Sequence, residues 1–278
     1  MKNHAQSIRN RLFALGKREN IWFNYLIVRF LHERLLYRLS VSPYADKFCL
    51  KGGALLYALE GMSARQTRDL DLLGRNISNE AENIKQCFTK ILSIICEEDG
   101  VVFDLENLEA TEIVKEGNYK GTRLEFWAQL GQIKEKMQVD IGFGDIVIPA
   151  PKLMDFPTLL DLPSPRVQAY SVESVIAEKF HAMIYLGEIN SRMKDFYDVY
   201  HLLRPNKFDP ALLRQAIAET FEHRETELPN TTPVFSAIFS QDENRQRLWN
   251  VFLKKSKLEN IAFDEVVQYI GKEIVPFL

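Results

Sequence analysis

Cysteine is scarce in this chain: three residues in 278, Cys49, Cys87 and Cys96, with no Cys-x-x-Cys pair and no histidine at zinc-ligand spacing. An odd, unpaired count indicates neither a disulfide framework nor a structural zinc site, and it fits a reducing cytoplasm. No run of residues is long and apolar enough to span a bilayer. The opening residues Met1 to Gln6 lack the apolar stretch of a signal peptide, so the expectation is a soluble, unexported protein with no membrane partner. Charge of one sign is also lacking. The net charge of -3 argues against indiscriminate coating of nucleic acid. A local basic surface remains open at Arg9, Arg11, Lys17 and Arg18, or at Lys254, Lys255 and Lys257. Each of these clusters also reads as the solvated face of a helix. There is no internal repeat and no low-complexity segment. What is present, 46% hydrophobic and 26% charged residues, builds one large or two modest cores without covalent staples.

The most informative stretch runs from Cys49 to Leu73. It holds Lys51-Gly52-Gly53, a short helical segment over Ala54 to Leu59, and then Arg65-Gln66-Thr67-Arg68-Asp69-Leu70-Asp71-Leu72-Leu73. Side chains alternate along a strand, so Asp69 and Asp71 share one face and Leu70 and Leu72 the other. Two adjacent carboxylates raise one another's pKa unless a cation neutralises them, and a divalent metal does so. Gly52 and Gly53 carry no Cβ to hold a phosphate away from the backbone, and the N–H groups opening the next helix point toward such an anion. Either feature alone reads as an ordinary solvated strand or a plain turn. Together they point to metal-assisted phosphoryl or nucleotidyl transfer. A glycosyltransferase using Asp-x-Asp on Mn²⁺ has no need of the upstream Gly-Gly helix. A haloacid-dehalogenase-type phosphatase wants a hydroxyl or small residue where Leu72 and Leu73 stand.

Around this motif the pattern is mixed. Helices are expected over Ala5 to Lys17 and from Trp22 to Leu39, the second packing Trp22, Tyr25, Leu26, Phe30 and Leu31 on a sheet. A further helix follows a capping box at Asn79 and Glu82. Strands are expected at Val101 to Leu105, Glu112 to Val114, Arg123 to Leu130 and Met137 to Phe143. If the last of these pairs beside Asp69 to Leu72, Asp140 becomes the third carboxylate of a two-metal site; otherwise it is an ordinary outward-facing aspartate. Five prolines between Pro149 and Pro165 exclude a regular element and mark a surface connection. The remainder is helical.

In that half Ser171 can cap a helix with the stripe Val172, Val175, Ile176, Phe180, Met183 and Ile184. Lys179 falls inside the stripe, where its ammonium either snorkels to water or meets an anion such as a triphosphate. The next helix turns Phe196, Val199, Tyr200 and Leu203 to a core. Asp198 can form a surface pair with Lys194, and Asp195 either orients Lys179 or acts as a base on an incoming hydroxyl. His181 and His201 read as structural.

Taken together, Lys51-Gly52-Gly53, Arg65-x-Thr67-x-Asp69-x-Asp71, Val139-Asp140, Glu178-Lys179 and Lys194-Asp195-x-x-Asp198 resemble the AbiEii/AbiGii-type nucleotidyltransferase toxins of bacterial abortive-infection and toxin-antitoxin systems. The resemblance covers about Phe48 to Leu203. It implies an α+β fold with a polymerase-β-like nucleotidyltransferase core, a mixed sheet with flanking helices, over 1–165, and a helical domain over 166–278 closing the active-site cleft. Carried over by position, it gives Gly52 and Gly53 the phosphate loop, with Lys51, Arg65 and Lys179 binding nucleotide. Asp69 and Asp71 would hold Mg²⁺ or Mn²⁺, with Asp140 as a third ligand, and Asp69, Asp71, Lys179 and Asp195 would be catalytic. The implied substrates are an NTP and the 3′ end of tRNA, and the implied partner is a cognate antitoxin, often a winged-helix regulator. Ala54 departs from the family, in which many members carry Ser or Thr. Transfer to a small molecule or protein hydroxyl, and a catalytically weak NTP-binding regulatory module, are the alternatives.

Overall fold

The computed structural model describes residues 4–61, 64–115, 119–205 and 207–278, apart from the side chains of Lys115 and Tyr119. Two compact units divide the chain, Met1–Gly144 with Lys152–Ala169, and Asp145–Pro151 with Tyr170–Leu278. The first is a mixed sheet with flanking helices and the second is helical, the α+β arrangement expected from the sequence.

The sheet is built from β1 (Phe48–Lys51), β2 (Asp69–Gly74), β3 (Val101–Phe103), β4 (Glu109–Lys115), β5 (Tyr119–Leu130), β6 (Ile133–Phe143), β7 (Lys152–Asp155) and β8 (Arg166–Ala169). Their order is β3-β5-β6-β2-β1-β8-β7, with β4 also paired to β5. β1 runs antiparallel to β2, and β2 parallel to β6. One face carries Leu50, Leu70, Leu72, Leu124, Phe126, Val139 and Ile141, each 1% exposed or less, and these residues set the register. α1 (His4–Glu19), α2 (Phe23–Ser40), α3 (Gly52–Glu60) and α4 (Ala81–Leu92) flank the sheet. Phe48 of β1 meets Phe88 of α4 edge-on, with ring centroids 5.2 Å apart.

Four details differ from the sequence-based expectation. Trp22 is 62% exposed and stands at the N-cap of α2, outside its core stripe. α2 instead buries charge: Arg29, His32, Glu33, Arg34 and Arg38 are each 4% exposed or less. Asn79 does not cap α4; Glu80 occupies that position without a side-chain cap, and the Asn79 carbonyl accepts from Thr122 Oγ1 at 3.3 Å. The proline-rich connection holds a strand after all, because residues 152–155 between Pro151 and Pro157 are proline-free and pair as β7 with β8. β8 completes the sheet through parallel pairing with β1, and Arg166–Ala169 belongs to the first unit.

Several of the buried charges of α2 find partners within the first unit, although among the described residues Arg34 Nε donates no hydrogen bond and Glu33 Oε1 accepts none. Arg38 forms a bidentate pair with Asp99 at 2.8 and 3.2 Å and also donates to the carbonyls of Arg34, Ile94 and Val101. Glu33 approaches Arg34 at 2.8 Å and accepts from the Leu159 N–H at 2.7 Å, while Arg34 donates to the Pro163 carbonyl. Burial outweighs these partners and pushes the Glu33 carboxyl up to about 7.

The helical unit comprises α5 (Val172–Leu186), α6 (Met193–Leu203), α7 (Pro210–His223), α8 (Ala237–Ser240), α9 (Glu243–Ser256) and α10 (Phe263–Ile274). Ser171 caps α5 as expected, accepting from the Ser174 N–H at 3.1 Å. Phe196, Phe239, Trp249 and Phe263 form its aromatic core, and the Trp249 indole N–H donates to the Ile261 carbonyl at 2.7 Å. Removing one partner of the Arg38–Asp99 pair strands a buried charge, so Asp99→Ala is expected to lower unfolding free energy by about 3–5 kcal/mol in urea denaturation.

Candidate active site

The polar face of the sheet follows from register. Lys51 of β1 stands opposite Asp71 of β2, Asp71 opposite Asp140 of β6, and Asp140 opposite Arg123 of β5. A single cross-strand row therefore reads lysine, aspartate, aspartate, arginine. Asp69 lies two residues from Asp71 on the same face, opposite Gln138. The strand carrying Asp140 does pair beside Asp69 to Leu72, the condition the sequence left open.

Asp140 is nonetheless engaged elsewhere. Arg123 donates from Nε and Nη2 to its two carboxylate oxygens, both at 2.8 Å, and Gln138 Nε2 adds a contact of 3.2 Å. Those hydrogen bonds hold the Arg123 guanidinium above its ordinary pKa. Among the described residues no group of three His, Cys, Asp or Glu side chains is placed to hold a metal ion. Asp69 and Asp71 remain the carboxylate pair suited to one.

The glycines open α3 beside the carboxylate strand. Gly52 and Gly53 form the first turn of α3, where no side chain caps the helix. Gly52 has φ +66°, and a Cβ there would lie 2.1 Å from Asp71 Oδ2; one on Gly53 would lie 2.7 Å from Thr67 Oγ1. The helix N-terminus and the carboxylate are thus packed together at a distance only glycine permits. A cradle a Cβ would fill, beside two carboxylates, fits a divalent cation and a phosphate. Thr67 Oγ1 donates to the Asp69 carbonyl at 3.2 Å, and Arg65 Nη1 reaches the Gln66 carbonyl at 3.4 Å.

His32 and Arg123 escaped the sequence reading. His32, on α2, is 1% exposed and its Nε2 lies 3.1 Å from the carbonyl of Arg68, the residue before β2. Burial pushes its pKa down to about 4, so the ring is neutral and the acceptor assigns the proton to Nε2. This bond anchors the entry to the carboxylate strand. Arg123 had one sequence signal, its place in an alternating strand, but only its register with Asp140 reveals its role.

In the helical unit, Lys179 Nζ lies 2.6 Å from Asp195 Oδ1 and 2.8 Å from Asp198 Oδ2. The two carboxylates are 0% and 1% exposed, so Asp198 is no surface partner of Lys194. Arg192 Nε approaches Asp195 Oδ2 at 2.6 Å without the alignment of a hydrogen bond. Burial alone would raise the Asp195 pKa, but Lys179 and then Arg192 outweigh it and hold the carboxyl below its usual range. A buried carboxylate so held is a poor base and a good clamp; of the two roles expected, the geometry fits orientation of Lys179. His181 contacts Thr226 at 3.0 Å and Arg224 at 3.2 Å, and burial, then Arg224, pushes its pKa down to about 4. His201 packs on the Tyr197 ring.

The site is thus an Asp-x-Asp strand abutting a glycine-opened helix, an arrangement with room for a phosphate. The chain belongs to the AbiEii family, nucleotidyl transferase toxins of type IV toxin-antitoxin systems, whose model matches residues 34–269. No curated protein matches it. Two solved structures are similar: JHP933 from Helicobacter pylori, 15% identical over 88% of each chain with a TM-score of 0.47, and a candidate nucleotidyltransferase from H. pylori, 15% identical over 91% of this chain and 93% of that one with a TM-score of 0.45. Membership implies a cognate antitoxin, and no helix among the described residues is long and apolar enough to cross a membrane.

Removing Lys179 should leave two buried carboxylates without their shared cation. Lys179→Met is expected to cost about 3–5 kcal/mol in urea denaturation, whereas Asp69→Ala, at an exposed position, stays within about 0.5 kcal/mol of wild type. The sign for His32 follows from its depressed pKa: stability is full above about 6.5 and falls as pH drops toward about 4. Glu33, raised to about 7, slopes oppositely in wild type and variant alike and cancels in the difference. The unfolding free energy of wild type minus that of His32→Gln is therefore expected to rise with pH across this window, with a slope of up to about one proton.

Proposed function

We propose that the chain is a divalent-metal-dependent nucleotidyltransferase that moves a nucleotide from an NTP to an RNA acceptor, the 3′ end of tRNA, in the cytoplasm. The observation that carries the reading is the close packing of Gly52, at the opening of α3, against the Asp71 carboxylate. Asp69 and Asp71 would hold a divalent cation, which would supply Lewis-acid polarisation of the phosphate under attack. The backbone N–H groups of Gly52 and Gly53 receive the phosphates. Lys51 and Arg65 add positive charge to the nucleotide site, and in the helical unit Lys179, held by Asp195, is the cation that the family resemblance assigns to the triphosphate. The acceptor hydroxyl oxygen bonds to the α-phosphorus, the bond to pyrophosphate breaks, and the hydroxyl proton leaves to solvent. RNA attraction falls to local clusters such as those on α1 and at the end of α9, since the net charge is -3. Growth arrest follows from blocked tRNA, with a winged-helix regulator as the cognate antitoxin.

A binding-only module is the second reading, favoured by Ala54 and by the Arg123 grip on Asp140. The test is incubation of the protein with each NTP labelled at the α-phosphorus, Mg²⁺ and total tRNA. Label is expected on tRNA and is expected to fall about 10²-fold or more in Asp69→Ala. Label on a small molecule or on protein would redirect the acceptor, and tight NTP binding without turnover would favour the binding module.

A further inference from the structure

We propose that Asp140 is not a metal ligand but the anchor of Arg123, and that the Arg123 guanidinium supplies at this site the positive charge a second metal ion would otherwise bring. The inference rests on the metal-dependent reading above. Three carboxylates on one sheet face, Asp69, Asp71 and Asp140, carry three negative charges. Arg123 offsets the charge of Asp140 within the β5·β6 pair, so the row does not present a third open carboxylate to a cation on Asp69 and Asp71.

The geometry is specific. Nε and Nη2 take both oxygens of Asp140 side-on at 2.8 Å, and Gln138 adds a third contact to Oδ1, so the carboxylate's lone pairs are directed along the strand row. The two residues sit directly opposite each other in the β5·β6 ladder, so backbone register maintains the pair. Arg123 keeps 37% side-chain exposure, against 11% for Asp140, and Asp69 also lies within its electrostatic reach. A buried anchor holding a half-exposed cation beside the metal pair is how a protein positions an arginine toward phosphate. A metal bound through Oδ1 would displace a hydrogen bond, since that oxygen already accepts from Arg123 and Gln138.

The experiment is Mn²⁺ titration of the full chain, followed by electron paramagnetic resonance of free Mn²⁺, a readout independent of turnover. The wild type is expected to bind one ion, weakened tenfold or more by Asp69→Asn or Asp71→Asn. Asp140→Asn, which keeps an oxygen facing Arg123, is expected to change affinity less than threefold. Arg123→Gln is expected to tighten binding at least tenfold or to add a second ion. Two ions in the wild type, an Asp140→Asn protein as weak as Asp71→Asn, or an Arg123→Gln protein identical to wild type would each overturn the inference while leaving the metal-dependent reading intact. Mn²⁺ binding indifferent to both Asp69→Asn and Asp71→Asn would overturn that reading as well.

Discussion

The in-register row from Lys51 through Asp71 and Asp140 to Arg123 is the constraint on which the candidate site depends. Four strands contribute one residue each, and no residue of the row is placed by its own strand alone. The force that sets the register lies on the opposite face, where Leu50, Leu72, Ile141 and Leu124 are buried at the same or neighbouring positions. A slip of one residue in any strand would turn leucine to the polar side and a charge into the core. Apolar burial thus positions the charges, although it contributes nothing to their chemistry.

The second placement is backbone against side chain. β1 ends at Lys51 in an extended conformation, and the chain turns at once through the positive φ of Gly52 into α3. Asp71 occupies the volume that any Cβ there would need, so the glycine and the aspartate each explain the other. His32 acts on the same region from beneath. A fully buried neutral imidazole donating to the Arg68 carbonyl satisfies one backbone acceptor and fixes where β2 begins. Neutrality is required, since a buried imidazolium at that position would have no counter-charge.

Much of this was legible in the sequence where the information is local. Asp69 and Asp71 share a face because they are two residues apart on a strand, and the Lys179 stripe placement follows from the helical period alone. Ser171 was readable as a cap for the same reason. The bidentate grip of Arg123 on Asp140 was not readable, because a cross-strand partner is chosen by pairing rather than by spacing. β7 was hidden by its prolines, which flank the four paired residues without entering them.

The charged residues of α2 carry the same lesson in energetic terms. Charge in a helix is usually a sign of solvent, yet Arg34 and Arg38 are among the largest fully buried side chains here. Burial is tolerable because each guanidinium is met by carbonyls and carboxylates from distant segments, Pro163 for Arg34, and Ile94, Asp99 and Val101 for Arg38. Such a network specifies rather than merely stabilises: apolar packing would accept several arrangements of α2, but only one places those acceptors around two fixed guanidinium forks. The helix so fixed also carries His32, and through it the position of the carboxylate strand.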